Sequence, residues 1–324
     1  MKERTGKLLK YSASAAIAVL LLWVSFKEVE WKDFFSLLKE CRWGLVLLSM
    51  LAGYLAIIVR SVRWRMLLHP MDANLTSLQC YDGVNVGRLS DLLVPHMGEF
   101  VRCAVVSRRH LTYDKVLGTV LVERSWDILS LIALVVAFLL TASSRFTTFF
   151  TEDILTPVSG KLSFSIWWLL ALVAVLIALL FLFIYKTRER FGICGKVCGF
   201  FGGLWEGIKT CLKMKRKGVF FLYTILLWML FLMTSYLVII SLPQSAGMGL
   251  SDALFLMLVG SFAAIVPVPG GFGAFHYVIS LALSTIYGVP WAAGIVFATL
   301  SHESQAIMSI VAGLASYAHV ASGK

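Results

Sequence analysis

Residues 253–287 read ALFLMLVGSFAAIV (253–266), PVPGGFG (267–273) and AFHYVISLALSTIY (274–287). Each apolar run has 14 residues, whereas a helix needs about 20 residues to cross the hydrocarbon core of a bilayer. The two prolines and three glycines between the runs interrupt helical hydrogen bonding. Non-helical backbone at membrane depth must be buried in protein or line a water-filled cavity. We therefore predict a membrane protein in which this segment is a broken, re-entrant helix.

The composition of the whole chain agrees with a membrane protein. Of its 324 residues, 59% are hydrophobic and only 15% are charged, and the mean hydropathy is +0.84. Soluble domains carry about a quarter charged residues, which argues against a cytosolic enzyme, a disordered chain or a secreted disulfide scaffold. No stretch outside the apolar segments is long enough for a second globular domain. We expect a single integral membrane domain covering residues 1–324.

Eight apolar segments predict an all-α, multi-pass helix bundle. They are 8–26, 43–59, 80–95, 116–142, 164–185, 218–241, 253–287 with its break, and 291–319. The first segment has a long apolar run, and no small-residue cleavage pattern follows it convincingly. We interpret it as a retained anchor and not as a signal peptide.

The basic residues predict the orientation of the chain. Lys and Arg number 22 in the N-terminus, the 60–115 stretch, the 186–217 loop and the C-terminus, against six in the alternating loops. Because positively charged loops stay in the cytoplasm, we expect an inner-membrane protein with both termini in the cytoplasm. The net charge of +11 then reflects topology, and we expect no nucleic-acid partner.

This orientation requires that segment 80–95 does not cross the membrane. The segment has basic loops on both sides and contains Arg88, Asp91 and Pro95, so we predict a hairpin that enters from the cytoplasm and returns. One re-entrant element in each half of the chain is typical of inverted-repeat transporters with a site near the midplane. We therefore expect an inverted repeat with halves at 1–142 and 164–319.

Two loop segments have the spacing of amphipathic helices that lie at the membrane surface. In residues 27–42, the side chains of Trp31, Phe34, Phe35 and Leu38 share one helical face. Residues 196–217 keep a similar apolar spacing beside a lysine cluster. The basic segment either contacts anionic lipid or serves only as a topology signal.

Ionisable side chains inside apolar segments mark a pathway or buried pairs, because each costs at least ~2.5–3.5 kcal/mol to insert. Glu123, Arg124 and Asp127 share one face of the 116–142 helix, and Arg124 and Asp127 are an i, i+3 pair. Glu123 is then an extra negative charge that needs a cation or a proton. A purely structural group of ion pairs is the alternative.

Two further charged motifs extend this set. Glu99 and Arg102 form another i, i+3 pair directly after the hairpin, and Gly98 before them permits a turn or a close backbone approach. Arg63 lies at the cytoplasmic end of the second apolar segment and either faces inward or points to the membrane surface.

The break itself is a candidate anion-binding site. The half-helix after it begins near Gly273, and the unpaired N–H groups at such a helix start bind phosphate or carboxylate. Gly270 and Gly271 belong to the same turn, for which a plain kink is the alternative. His276 and His302 are either neutral packing residues or proton-coupling groups. The six cysteines lack a CxxC pair, so we expect neither a metal nor a cofactor.

The chain contains four motifs in a fixed order, namely Arg63-Trp64, Gly98-Glu99-x-x-Arg102, Glu123-Arg124-x-x-Asp127 and Pro267-x-Pro269-Gly270-Gly271-x-Gly273. In this order and at these separations, they resemble the lysylphosphatidylglycerol synthase transmembrane family, also called the flippase-like domain family. The resemblance covers nearly the whole chain. It implies a membrane domain like that of the bacterial multiple peptide resistance factor, which moves aminoacylated phospholipids between leaflets.

Two departures from the family pattern limit what the resemblance implies. The family's synthase activity resides in a separate soluble domain that uses aminoacyl-tRNA, whereas this chain ends at Lys324, five residues after its last apolar segment. We therefore expect no aminoacyl transfer. The family often has Glu shortly after the Pro-Gly-Gly motif, where this chain has His276, so the ligand or the coupling is expected to differ.

These inferences predict a lipid translocase. The headgroup of a phospholipid or a polyprenyl-phosphate lipid would enter between the two re-entrant elements while its tails stay in the bilayer. Arg63, Arg102 and Arg124 would pair with phosphate oxygens, with the half-helix start assisting. No nucleotide-binding motif is present, so movement would be downhill or coupled to an ion.

Two other function classes remain open from the sequence. An intramembrane enzyme that modifies a lipid-linked phosphate or sugar would use Glu99, Asp127, His276 and His302 as acid–base groups. A non-catalytic protein would serve as the membrane partner of a lipid-modifying enzyme, bound through the 186–217 loop. Homo-oligomerisation is compatible with each of these functions.

Overall fold

The computed structural model of the chain describes residues 16–141, 214–264 and 266–323, together with positions 202, 205 and 209. These described residues are predominantly helical and contain no strand, which confirms the predicted all-α helix bundle. The predicted segment 164–185 lies outside the described residues. So do most of the 196–217 loop and the beginning of segment 8–26.

Ten α-helices are described in the three continuous ranges. They are α1 (Ala16–Phe26), α2 (Trp31–Glu40), α3 (Trp43–Leu68), α4 (Ser77–Leu93), α5 (Gly98–Val106), α6 (Tyr113–Thr141), α7 (Lys217–Ile239), α8 (Leu250–Ala263), α9 (Ala274–Tyr287) and α10 (Trp291–Ala321). Among them α3, α7 and α10 are long and apolar enough to cross a membrane. The chain is a multi-pass membrane protein. Most helix bounds lie close to those predicted from hydropathy, but α3 continues beyond the predicted end at residue 59 to Leu68.

Helix α2 is the short amphipathic helix expected in residues 27–42. Phe34 is buried and packs against the ring of Phe26, with ring centroids 6.2 Å apart. Trp31 and Phe35 remain 58% and 56% exposed. Exposed aromatic rings on a short helix suit the headgroup zone of a bilayer, and this placement at the membrane surface stays a prediction.

Helices α4 and α5 form a hairpin, but segment 80–95 supplies only its first arm and its tip, and the return arm is α5. A capping box starts α4, because the Thr76 hydroxyl accepts from the Gln79 N–H at 3.2 Å and the Gln79 amide oxygen accepts from the Thr76 N–H. At the tip, His96 has a positive φ of 58°, which marks a tight turn. Helix α5 then returns beside α4, and a Cβ on Gly87 would lie 2.7 Å from the Gly98 carbonyl oxygen. Only glycine permits this close approach.

The hairpin reaches only to the middle of α10. The first half of α4 lies beside the C-terminal end of α10, where the Asp82 carboxylate contacts His319 Nδ1 at 2.7 Å. Two turns further along, Arg88 reaches Ser309, which is near the midpoint of the 31-residue α10. The tip therefore lies at about half the length of a spanning helix, as expected of a re-entrant element.

The broken helix has the predicted form. Helix α8 ends at Ala263, a 3-10 turn covers Pro269–Gly271, and α9 begins at Ala274. Gly270, Gly271 and Gly273 have φ values of 58°, 79° and 82°, which side chains other than that of glycine rarely adopt. The two half-helices therefore need these glycines to change direction within a few residues.

Two buried apolar cores hold the described helices together. One core joins α8, α9 and α10 with the end of α7 and includes Phe255, Ile279 and Phe297. The other joins the C-terminal half of α3 and the N-terminal halves of α4 and α6 with α5, around Trp64 and Leu67. Since segment 164–185 lies outside the described residues, the inverted repeat and its halves at 1–142 and 164–319 stay a prediction.

Candidate functional site

Seven charged side chains from α3, α5 and α6 meet on one side of the hairpin. We call them the charge cluster, and its members are Arg60, Arg63, Glu99, Arg102, Glu123, Arg124 and Asp127. Six of them are the charged residues that the sequence singled out. The structure adds Arg60.

Glu123 is the centre of the charge cluster and is fully buried. Its carboxylate receives Arg60 Nη1 at 3.3 Å, Arg63 Nη2 at 3.2 Å and Arg102 Nη1 at 2.8 Å. The extra negative charge expected at this position is therefore balanced by arginines from two other helices. No external cation or proton is needed to balance it.

Asp127 and Glu99 complete the pairing. Asp127, one turn along α6, accepts Arg63 Nη2 at 2.6 Å and Arg60 Nη1 at 3.2 Å. The expected pair between Arg124 and Asp127 is present at 3.5 Å, and Arg124 also contacts Glu99. Glu99 holds Arg102 as well. Each arginine of the cluster thus has at least one carboxylate partner.

Aromatic rings and a hydroxyl group fix the buried arginines further. The Arg102 guanidinium carbon lies 4.7 Å from the Trp64 ring centroid, and that of Arg63 lies 5.5 Å from the Phe220 centroid. Arg63 Nη1 also donates to the Thr224 hydroxyl at 3.3 Å. These contacts tie α3 and α5 to α6 and α7. Removing one partner from such a group leaves an uncompensated buried charge, which is strongly destabilising.

A cavity of about 520 Å³ lies between the hairpin tip and the broken helix. Pro95 and His96 of the tip border it on one side, and residues 266–271 border it on the other. Helices α7, α8, α9 and α10 form the remaining walls. Both His96 and Ala264 are exposed, so the cavity is open where the two tips approach each other.

The cavity wall combines apolar and hydroxyl-bearing side chains. Its apolar part includes Phe231, Leu256, Phe275, Ile279 and Phe297. Its polar part consists of Arg88, Asp91, Thr234, Ser235, Ser261, Ser301, His302, Gln305 and Ser309. Polar side chains at membrane depth rarely face lipid and usually mark a path for an ion or a substrate.

The structure separates the predicted site residues into two groups. Gly270, Gly271 and His302 line the cavity. Arg63, Glu99, Arg102, Glu123, Arg124 and Asp127 belong to the charge cluster and are absent from the cavity wall. The sequence placed the arginines and the break around one site, and the structure places them around two neighbouring ones.

Gly273 and His276 face away from the cavity. A Cβ on Gly273 would lie 2.7 Å from the Leu21 Cβ, so this glycine allows α1 to pack closely against the start of α9. His276 is 1% exposed and packs against Phe26 with ring centroids 5.7 Å apart. The start of α9 is thus covered by α1, and the cavity meets the break at Gly270 and Gly271.

Two histidines and a glutamate connect the broken helix to α10. Glu303 Oε1 lies 3.3 Å from His276 Nε2 and 3.5 Å from His302 Nδ1. On its other side, His302 Nε2 donates to the Gly270 carbonyl oxygen at 2.7 Å. The turn in the broken helix is therefore held to α10 through His302, and Glu303 lies between the two imidazole rings.

A second, smaller cavity of about 90 Å³ adjoins the first. Arg88, Phe231, Thr234 and Gln305 border both cavities, and Arg60 of the charge cluster borders the small one. Gly53 of α3 borders it as well, opposite Gln305. Gly53 and Gln305 each lie near the middle of a spanning helix, so this cavity is at mid-membrane depth.

Three residues of these sites were missed from the sequence. In the sequence, Arg60 looks like one of the basic residues that flank its apolar segment. Arg88 was used only as an indication that segment 80–95 does not cross the membrane. Glu303 was noted beside His302 but not included in the site. A helical-spacing signal was available for Arg88, because Asp82, Asn85 and Arg88 follow each other at i, i+3 and form a polar stripe that faces α10.

Comparison with known proteins gives one match. The model of the family described as lysylphosphatidylglycerol synthase TM region matches residues 11–313. No curated protein and no solved structure matches the chain significantly.

Proposed function

Because the chain belongs to the lysylphosphatidylglycerol synthase transmembrane family, we propose that it is a lipid translocase of the inner membrane. It moves the phosphate-bearing headgroup of a phospholipid or polyprenyl-phosphate lipid from one leaflet to the other. The observation that carries this proposal is the cavity between the hairpin tip and the broken helix. Membership of the family connects the protein with membrane lipids, and the cavity supplies a place for a headgroup.

The size and the wall of the cavity suit a lipid headgroup. About 520 Å³ lies within the usual range of ligand pockets, ~300–1,000 Å³. A headgroup fits in this volume, and the acyl or prenyl tails remain in the bilayer. The hydroxyl and amide groups of Ser261, Ser301 and Gln305 replace part of the headgroup's hydration shell during the crossing.

The two tips provide a way to expose the cavity alternately. Each tip ends near the middle of α10, so each reaches the cavity from its own side. Transporters built from two such elements open the site to one side at a time by moving one element against the other. In this proposal the Pro-Gly turn moves relative to α10, and the hairpin is held by the charge cluster.

The energy source for lipid movement is inferred from the motifs in the sequence. No nucleotide-binding motif was found in the sequence, so the headgroup moves down its concentration gradient or together with an ion. Both termini and the basic loops are placed in the cytoplasm in this proposal. Glu303 with His276 and His302 is the described group best placed to carry a proton beside the moving turn.

An intramembrane enzyme is a weaker proposal. It needs Glu99, Asp127, His276 and His302 as acid–base groups. Both carboxylates hold arginines of the charge cluster, and of the four groups only His302 borders the cavity. A non-catalytic role that depends on residues 186–217 rests mostly on residues outside the described ones. Translocation is therefore the function that the described residues support best.

The test of the proposal measures leaflet exchange in vesicles. The purified full-length chain is reconstituted in phosphatidylethanolamine–phosphatidylglycerol vesicles that contain one fluorescently labelled lipid at a time. We expect faster exchange than in protein-free vesicles for at least one phosphate-bearing headgroup, with no change in the mass of the lipid. Equal rates with and without protein for every headgroup would contradict the proposal. A changed lipid mass would show an enzyme instead.

A further inference from the structure

We propose that Arg88 is the phosphate-binding residue of this protein, and that the lipid phosphate lies where the large and small cavities meet. This inference rests on the proposed function but concerns binding, which is measured separately from transport. It assigns the anionic ligand to a residue outside the charge cluster.

The hydrogen bonds of Arg88 go to a neutral hydroxyl and not to a carboxylate. Arg88 Nε and Nη2 both donate to the Ser309 hydroxyl oxygen, at 3.1 and 2.9 Å. Ser309 in turn donates its hydroxyl hydrogen to the Gln305 carbonyl oxygen at 2.9 Å, so its lone pairs point to the guanidinium. A neutral hydroxyl orients the guanidinium but does not neutralise it.

Among the described residues, no carboxylate oxygen lies within 4.0 Å of the Arg88 guanidinium. The nearest acidic residue along α4 is Asp91, and its Oδ1 accepts the Gly98 N–H at 2.6 Å. That bond caps the start of α5, where the helix dipole favours a negative charge. Asp91 keeps its negative charge in that bond and acts on Arg88 electrostatically across one helical turn, without direct contact.

The environment of Arg88 favours an anionic ligand. Arg88 is partly buried near the middle of α10, at a depth where an unpaired cation is costly. The guanidinium borders both cavities. Its Nη1, which makes no hydrogen bond to the described residues, is available to a ligand in that space.

The small cavity fits the chemistry of a phosphate. Arg60 reaches it from α3, and Thr234 and Gln305 border it from α7 and α10. A phosphate there would have guanidinium groups on two sides, and the fork of Arg suits two phosphate oxygens at once. The larger cavity then holds the rest of the headgroup. The ligand class is a phosphomonoester or phosphodiester, carried by a lipid.

The position of Arg88 also connects binding with both tips. Arg88 lies on α4, one turn before the hairpin residues that border the cavity. Ser309 lies on α10, two turns after His302, which holds the Gly270 carbonyl oxygen. A phosphate between them is therefore in contact with the hairpin arm and with the helix that carries the Pro-Gly turn.

The test is an equilibrium binding measurement on the purified full chain in detergent micelles by native mass spectrometry. The probes are dioleoylphosphatidylglycerol, dioleoylglycerol with the same tails and no phosphate, and inorganic phosphate as a competitor. The variants are Arg88→Gln and Arg42→Gln. Arg42 is an exposed arginine that borders neither cavity, so it is the matched control for loss of one positive charge.

We expect Arg88→Gln to weaken phosphatidylglycerol binding by about tenfold, as expected for loss of a hydrogen-bonded charge. Binding of dioleoylglycerol should not change, and Arg42→Gln should bind both lipids like the natural protein. The affinity of Arg88→Lys for phosphatidylglycerol should lie between those of Arg88→Gln and the natural protein, because lysine keeps the positive charge and lacks the forked guanidinium group. Should Arg88→Gln fail to fold, Ser309→Ala serves in its place. It leaves the guanidinium without its orienting acceptor and should weaken phosphatidylglycerol binding selectively.

Two results would overturn the assignment. Unchanged phosphatidylglycerol affinity in Arg88→Gln would show that the phosphate binds elsewhere, and an equal loss for dioleoylglycerol would show a general defect of the cavity. Displacement of the lipid by inorganic phosphate at matching concentrations would identify free phosphate as the ligand and would contradict the proposal that a lipid carries the phosphate. Selective binding without leaflet exchange would refute the translocase function alone, whereas exchange without a role for Arg88 would refute this site alone.

Discussion

The charge cluster and the cavity hold arginines in opposite ways. In the cluster, four arginines face three carboxylates, and every arginine has an acidic partner. In the cavity, Arg88 has a serine hydroxyl as its hydrogen-bond partner and an open space beside it. Buried charge in direct contact with carboxylates stabilises helix packing, whereas buried charge held only by a neutral hydroxyl beside an open space indicates a ligand. The motifs of highest charge density therefore do not have to be the binding site.

The largest expected difference between the two regions is in stability. Arg63→Met should lower the free energy of unfolding by about 3–5 kcal/mol, because a fully buried side chain no longer donates hydrogen bonds to Glu123, Asp127 and Thr224. Arg88→Met should cost far less, since it removes an uncompensated charge. Both are measured by denaturant titration in mixed micelles. Similar losses for the two variants would show that Arg88 is as structural as the cluster.

Blocking the cavity should affect transport without a comparable effect on stability. Ala264 is exposed and borders the cavity, so Ala264→Trp fills the space between the tips. We expect leaflet exchange to slow by about tenfold, equal to ~1.4 kcal/mol in the barrier. Ala315→Trp, on an exposed face of α10, is the matched control and should exchange lipid normally. Normal exchange in Ala264→Trp would place the lipid path elsewhere.

The elements were predictable from the sequence because their signals are local. Prolines and glycines between two short apolar runs identified the broken helix, and Arg88 and Asp91 within a short segment identified the hairpin. Helix ends also follow local rules, as at Thr76, whose side chain caps α4. Each of these features depends on a few consecutive residues.

The site was only partly predictable because it depends on how separate helices pack. The partners of Glu123 come from α3 and α5, and spacing along α6 carries no information about them. Arg60 and Arg88 lie on helices whose relative rotation decides whether they meet a carboxylate or a cavity. The sequence identified the residues of the break. It did not show which of them border the cavity and which, like Gly273, contact α1.

Breaking the hydrogen bond between His302 and the Pro-Gly turn should have a smaller effect, which concerns local stability. His302→Ala leaves the Gly270 carbonyl oxygen without its donor, which should cost about 1 kcal/mol of local stability. Amide hydrogen exchange should become faster in residues 266–273 and stay unchanged in α3. His302→Gln retains a donor and should partly restore protection. Unchanged exchange in His302→Ala would mean that the turn is held by other contacts.

The smallest effect concerns a charged group outside the membrane, in the loop after α3. Burial raises the pKa of Asp72, but hydrogen bonds from His110 and the Asn74 N–H, together with nearby Arg108, outweigh it and hold the pKa below its ordinary value. Its stabilising contribution is therefore present at neutral pH and is lost as pH falls below about 4. Asp72→Asn should lower the thermal midpoint slightly at pH 7, and the difference should shrink towards pH 3.5. A difference in thermal midpoint that stays the same at all pH values would exclude ionisation of Asp72 as its cause.

The central claim is that an anionic headgroup occupies the cavity between the two tips. It is tested most directly by photolabelling the reconstituted protein with phosphatidylglycerol that carries a diazirine on its headgroup, followed by peptide mass spectrometry. The account predicts labels in residues 92–96, 261–271 and 301–309, and their loss in Ala264→Trp. Labels confined to lipid-facing residues such as Leu47 and Leu51 of α3, with none in the cavity wall, would contradict it.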